Sequence, residues 1–331
     1  MKKILRLTLA VVAILLSALL GAGYYMVDYA LKPAELVTRS RDLEASLDTM
    51  LRNYPHVRPW FDSLQAVGGL YDLYEENEAG TRLHALFIPA AHPTHRTAVV
   101  VHGYTDNAIR MLPIGYLYNK EMDYNVLLPD LYAHGLSQGE AVQMGWKDRL
   151  DVLMWIERAE ELTADYLKGD TLQPSPSLLV HGISMGAATT MMVSGEVEHG
   201  AHQLPYVRCF VEDCGYTSAW DEFRGELKAR FGLPAFPLLD IANFFCYQKY
   251  GWRFSDASSL RQVEKCSLPM LFIHGDKDEF VPTWMVHPLY EAKSEPKELW
   301  LVPGVDHAHS YRDYPEEYTR RVKAFVTPYM E

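Results

Sequence analysis

With 331 residues, 48% of them hydrophobic and 22% charged, the chain has room for one large α/β domain or two of ordinary size, and it can bury a core. Its formal net charge of -12 opposes nucleic acid phosphates, which excludes nucleic acid as an expected partner. The four cysteines, Cys209, Cys214, Cys246 and Cys266, exclude a disulfide scaffold and show no zinc-ligand spacing; they read as buried thiols, with a Cys246 to Cys266 bridge left open for an oxidising compartment.

Lys2, Lys3 and Arg6 precede an uncharged apolar run over residues 7–27, about the length that spans a hydrocarbon core as a helix. Residues 1–31 are therefore expected to be a membrane anchor or signal standing outside the fold. Gly21-Ala22-Gly23 is a weak cleavage site, which favours an uncleaved single-pass anchor with Tyr24 and Tyr25 in the interfacial layer. The basic start predicts a cytoplasmic N-terminus, so the bulk of the chain is expected on the extracytoplasmic side of the cell membrane.

Residues 32–59 mix polar and apolar positions and read as an exposed helical spacer, and residues 60–331 as the main domain. Residues 71–75 and 82–88 alternate around a turn that contains Gly80, the pattern of a β-hairpin. Nearly continuous apolar runs at 98–101, 126–128, 178–180, 209–211 and 271–273 read as strands buried on both faces, with a last strand at 299–302. Helix-length segments at 149–167, 185–197 and 283–292 alternate with them, which implies a mostly parallel sheet, and residues 315–330 close the chain as an amphipathic helix. Residues 219–252, with Pro234 and Pro237 among crowded aromatics, read either as an inserted cap or as ordinary core packing.

Gly182-Ile183-Ser184-Met185-Gly186 carries G-x-S-x-G between an apolar strand and a helical segment. The pattern alone is weak, but at such a corner the glycines permit a tight turn that lifts a serine oxygen clear of the sheet. A serine hydroxyl is a poor nucleophile unless a histidine takes its proton and an acid orients that histidine. The strands that follow end in His274-Gly275-Asp276-Lys277-Asp278 and Gly304-Val305-Asp306-His307, giving the order nucleophile, acid, histidine as Ser184, Asp278 and His307. Asp276 is the weaker acid candidate, suited to tying down its loop, and Asp213 is a third. His309 is the competing base. Asp306, His307 and His309 lack a further ligand cluster, so no metal is expected. Backbone amides at Tyr104 and Met185 are the expected donors to a developing oxyanion, with His102 bracing the Tyr104 loop.

Together His102-Gly103-Tyr104-Thr105, Pro129-Asp130, His134-Gly135-Leu136-Ser137-Gln138-Gly139, the Ser184 motif, Glu212-Asp213-Cys214-Gly215-Tyr216, Gly275-Asp276-Lys277-Asp278 and His307-Ala308-His309-Ser310-Tyr311 resemble bacterial α/β-hydrolases with one N-terminal membrane segment, broadly similar to serine aminopeptidase-like hydrolases. The resemblance runs from about Trp60 to the end of the chain. It implies an α/β-hydrolase fold, with a mostly parallel eight-stranded sheet and a small helical cap at 219–252. It also implies the roles given above for Ser184, Asp278, His307, Tyr104 and Met185. One departure is Tyr132-Ala133 before His134-Gly135, where an arginine-glycine lead is usual. The expected activity is cofactor-free hydrolysis of a small-molecule acyl ester. Two alternatives stand beside it: an aminopeptidase holding the substrate ammonium on Asp221, Glu222 and Glu226, residues that read more simply as a solvated helix face, and a silent binding module on the membrane surface.

Overall fold

The computed structural model describes residues 1–167, 174–198 and 203–331. In chain order the elements are α1 (Lys2–Leu31), α2 (Leu43–Asn53), α3 (Arg58–Val67), β1 (Tyr71–Glu76), β2 (Arg82–Ile88), β3 (Arg96–Val101), α4 (Leu112–Met122), β4 (Asn125–Asp130), α5 (Asp148–Tyr166), β5 (Ser177–Ile183) and α6 (Met185–Ser194). There follow β6 (Val207–Asp213), α7 (Ala219–Phe231), α8 (Leu238–Tyr250), α9 (Ser259–Val263), β7 (Met270–Gly275), α10 (Val286–Ala292), β8 (Lys297–Val302), α11 (Ser310–Asp313) and α12 (Pro315–Met330).

The strands form one eight-stranded sheet in the order β1-β2-β4-β3-β5-β6-β7-β8, with β2 antiparallel to both its neighbours and the rest parallel. The entry hairpin pairs Glu76 with Arg82, and its turn is closed by Asn77, whose side-chain oxygen accepts the amides of Ala79 and Thr81. Apolar side chains cover both faces of the central strands. Along β3, Val99 and Val101 join one core while Ala98 and Val100 join the other. Each fully buried Val, Leu or Ile stabilises the fold by roughly 1.5–3 kcal/mol, so the continuous apolar runs are what fix these strands at the centre. This order and covering define the α/β-hydrolase fold.

Residues 219–252 form the expected helical cap, two regular helices, α7 and α8, on either side of the break at Pro234 and Pro237. Two other expectations change. Residues 32–59, though largely exposed, pack one face on the domain instead of standing free of it. A π-turn over Leu36–Ser40 leads into α2, and Ser40, Ser46 and Met50 are buried. The Arg41 guanidinium donates to the carbonyls of Ala133, Ser137 and Gly139, and the Asn107 amide donates to Ser40 O and Ser46 Oγ. Serines bury here because their hydroxyls satisfy loop backbone, a contact that apolar periodicity does not register. Finally, α1 does not stand wholly apart: residues 1–18 are exposed, but Gly23, Val27 and Leu31 are buried, and Val142 N donates to Leu31 O. The four cysteines are buried free thiols, with no Cys246 to Cys266 bridge.

At the start of α5, Asp148 is fully buried; one carboxylate oxygen accepts the Gly145 amide at 2.8 Å and the other has no partner. Burial first, and the nearby Asp151 charge second, push its carboxyl up to about 8. The folded chain therefore holds a proton there that the unfolded chain has already lost above its ordinary range near 3.8. Stability falls as pH rises through that window. Asp148→Asn keeps the acceptor and removes the charge, so its melting temperature is expected to match the wild type near pH 4 and to exceed it increasingly toward pH 8, by about 2 °C or more. Parallel melting curves at every pH would contradict this reading.

Candidate active site

Between the last residue of β5 and the first of α6 sits Ser184, at φ 58 and ψ -119. A residue with a Cβ is strained there, and the surroundings must hold it. They do so through Ser184 N donating to Asp213 O at 2.8 Å and Ala188 N donating to Ser184 O at 3.0 Å. The flanking glycines are steric necessities: a Cβ on Gly182 would stand 2.0 Å from Gly186 O, and one on Gly186 would stand 2.1 Å from Val101 O.

His307 follows β8, and Asp278 follows β7. The His307 Nε2 lies 2.8 Å from Ser184 Oγ, and its Nδ1 lies 2.7 Å from an Asp278 carboxylate oxygen. An ionised carboxylate only accepts, so Nδ1 carries the proton and Nε2 is free to accept from the hydroxyl. The other Asp278 oxygen accepts the amides of Phe280 and Val281 at 3.0 and 2.9 Å. Burial alone would raise the Asp278 carboxyl, but the His274 and His307 imidazoles beside it, the second hydrogen-bonded to it, take it below the usual carboxylate value. A hydroxyl in this line can pass its proton to the imidazole as its oxygen attacks a carbonyl carbon.

Asp276 and Asp213 stand outside this line. Asp276 accepts the Gly304 amide at 2.7 Å, so it ties its loop to the one that carries His307. Asp213 accepts from Ser310 Oγ at 3.2 Å, and burial raises its carboxyl to about 6. His309 lines the same cavity but takes no part in the Ser184, His307 and Asp278 chain.

Gly103 approaches so closely that an added Cβ would sit 3.3 Å from Ser184 Cβ. Next to it, Tyr104 shares the cavity wall with Ser184 and Met185. Met185, the first residue of α6, has no preceding helical turn to accept its amide, and the Tyr104 amide has no backbone acceptor among the described residues. Two buried histidines brace the Tyr104 loop. Leu131 N donates to His102 Nε2 at 2.9 Å, so the His102 Nδ1 proton goes to Gly103 O at 2.7 Å. Thr105 N likewise donates to His134 Nε2, and His134 Nδ1 donates to Tyr132 O. Burial keeps both rings neutral, His134 down to about 3. Below them, the Asp130 carboxylate accepts the amides of Ala108 and Leu136.

Sequence reasoning missed His274, which is fully buried at the end of β7. Its Nε2 donates to Val281 O at 2.9 Å and lies 3.4 Å from Asp278, so it holds the acid's loop from behind. The signal was a histidine four positions before the acid at a strand end. It also missed that Cys214 Sγ, an Asp278 oxygen and a His307 nitrogen lie within 4.8 Å of one another. Burial, followed by the neighbouring carboxylates, keeps that thiol protonated, and both His307 nitrogens are engaged, so the group offers no ready ligand shell.

The acidic residues of α7 are not a solvated face. Asp221 accepts from Thr217 and Ser218 hydroxyls and pairs with Arg224, and Glu226 pairs with Arg230. Glu222 is buried at the cavity wall with an unpartnered oxygen, and burial pushes its carboxyl well up. The cavity, about 930 Å³, runs from Ser184 and His307 past Glu222 to α1 and α8.

The sheet, the strand-to-helix serine and the histidine hydrogen-bonded to it define a hydrolase of the α/β class. The sequence model of the FSH1 serine hydrolase family matches residues 137–309, a segment that includes Ser184, Asp278 and His307, and the chain belongs to that family. It is 30% identical over 237 residues to YqkD of Bacillus subtilis strain 168, covering 72% of this chain and 73% of YqkD. Among solved structures, the esterase Pf2001 of Pyrococcus furiosus superposes with a TM-score of 0.60 at 25% identity, over 79% of this chain and 93% of the esterase. Est1E from Butyrivibrio proteoclasticus, at 18% identity and TM-score 0.54 over 78% and 98% of the two chains, shares the fold.

Proposed function

We propose that this serine hydrolase cleaves carboxylic esters through an acyl-enzyme, with Ser184 as nucleophile, His307 as base and Asp278 as the acid that orients it. The observation that carries the reading is the unbroken hydrogen-bonded line from Asp278 through His307 to Ser184. Ser184 Oγ bonds to the carbonyl carbon while its proton moves to His307 Nε2. The amides of Tyr104 and Met185 stabilise the negative oxygen, and the leaving alcohol takes the proton as the ester bond breaks. Water then adds to the acyl carbon with His307 again as base, releasing the acid and restoring Ser184. No cofactor enters these steps.

An ester is preferred to an aminoacyl amide because the three acidic residues of α7 offer no free anion for an ammonium group: Asp221 and Glu226 are engaged, and Glu222 is held toward its neutral form by burial. The esterase likeness of Pf2001 supports the same choice. The apolar part of α1 is read as a single-pass anchor in the cell membrane with the hydrolase domain extracytoplasmic, a placement checked by protease access from outside spheroplasts. The full chain in detergent is expected to turn over acyl esters with kcat/KM about 100-fold or more above matched aminoacyl amides, since the amide leaving group demands better-placed protonation. Cleavage of the amides alone would reverse the assignment.

A further inference from the structure

Twenty residues of α1 cover about 30 Å, the thickness of a bilayer core, and residues 1–18 touch nothing else in the fold deeply enough to be buried. Beyond them the helix packs on the cap. A Cβ on Gly23 would meet Ile241 at 2.4 Å, so the two helices cross closely there. Further along, the Tyr24 and Phe245 rings meet edge to face at 5.3 Å, and Lys249 donates to Asp28 at 2.6 Å. The contacts rise in the same order on both helices, so α8 runs parallel to α1. Its first turn therefore points back toward the apolar span.

That end of the cap is greasy. Leu233, Phe236 and Phe244 are 43%, 76% and 55% exposed, and they lie on the α7–α8 connection and the first half of α8. Large apolar side chains clustered beside a spanning helix are stabilised by contact with lipid and strained by contact with water. The same two helices also wall the reaction cavity: Tyr25, Met26 and Tyr29 of α1 face it with Leu238, Leu239 and Ala242 of α8, and the space continues to Ser184. Tyr104 Oη donates to Ala30 O at 2.6 Å, joining the end of the anchor to the loop beside the nucleophile.

From this arrangement we infer that the substrate is a long-chain acyl ester carried by the bilayer itself, whose chain lies in the cavity walled by α1 and α8 and whose carbonyl reaches Ser184 without passing through bulk water. The inference rests on the ester-hydrolase reading and on α1 as an anchor. It adds the source of the substrate and the wall that selects it. The anchor is then part of the binding site as well as a tether.

The test uses the full chain reconstituted in phosphatidylcholine vesicles, with monooleoylglycerol in the bilayer and p-nitrophenyl butyrate in the water as alternative substrates. Phe236→Asp with Phe244→Asp changes two exposed side chains that do not wall the cavity, and α1 stays intact. This pair is expected to lower monooleoylglycerol turnover about tenfold or more while butyrate turnover and sedimentation with vesicles stay as in the wild type. Met26→Trp, which narrows the cavity at its α1 wall, is expected to lower the ratio of oleoyl to butyryl turnover by about tenfold. Equal effects on both substrates, or a wild type that cleaves butyrate and ignores monooleoylglycerol, would overturn the inference and leave the hydrolase reading standing. A wild type that cleaves neither would remove the ester-hydrolase reading, and a wild type that does not sediment with vesicles would remove the anchor; either takes the inference with it.

Discussion

Replacing Ser184 with alanine is expected to lower ester turnover by about 10⁴-fold or more and to abolish covalent labelling by a fluorophosphonate. The size of the loss follows from the chemistry: without Oγ, His307 has no hydroxyl to deprotonate and no acyl-enzyme forms, so what remains is binding and the oxyanion donors. The folded chain has little reason to change, because Ser184 is anchored by its backbone, through Asp213 O and Ala188 N. Intact protein mass after probe treatment checks it. Equal labelling of the wild type and the variant would remove Ser184 from the mechanism.

The second large effect is structural. Gly186→Ala would place a Cβ 2.1 Å from Val101 O and 2.6 Å from His102 O, both backbone atoms that cannot swing aside. Relief requires α6 to move off β3, which displaces the Met185 amide relative to the Tyr104 loop. A destabilisation on the order of 3 kcal/mol or more is expected, and the slower fluorophosphonate labelling should exceed what unfolding alone explains. Gly225, in α7, is the control, since an added Cβ meets nothing within 4 Å. Gly225→Ala should be neutral or stabilising by about 0.5–1 kcal/mol. Thermal melts of the two variants separate the readings; a Gly186→Ala chain as stable as the wild type would show that the close packing at the corner is not required.

Much of the site was legible because its parts stand at strand ends. Ser184, Asp278 and His307 each follow a run of apolar residues, and a parallel sheet delivers all such ends to one edge. The strands that carry them were readable for the same reason, since residues buried on both faces leave continuous apolar runs. α4 was less visible: eight of its eleven residues are buried, so it shows no polar stripe to mark helical period. The role of His274 and the burial of Glu222, which was named only as part of an acidic helix face, escaped because each is polar and buried, and a sequence shows a polar residue without showing what it faces.

The sequence by itself determined the alternation of strands and helices, the strained corner at Ser184 and the order in which Ser184, Asp278 and His307 follow their strands. These are set by side-chain volume, hydrophobic period and backbone freedom over a few neighbouring residues. Only the tertiary structure decided that Arg41 and Ser40 buttress the loops beside the site, that Glu222 turns inward, and that the end of α1 walls the cavity with α8. Such contacts join positions as far as 221 residues apart, where the partner of a polar or aromatic side chain is chosen by packing rather than by its neighbours in the chain.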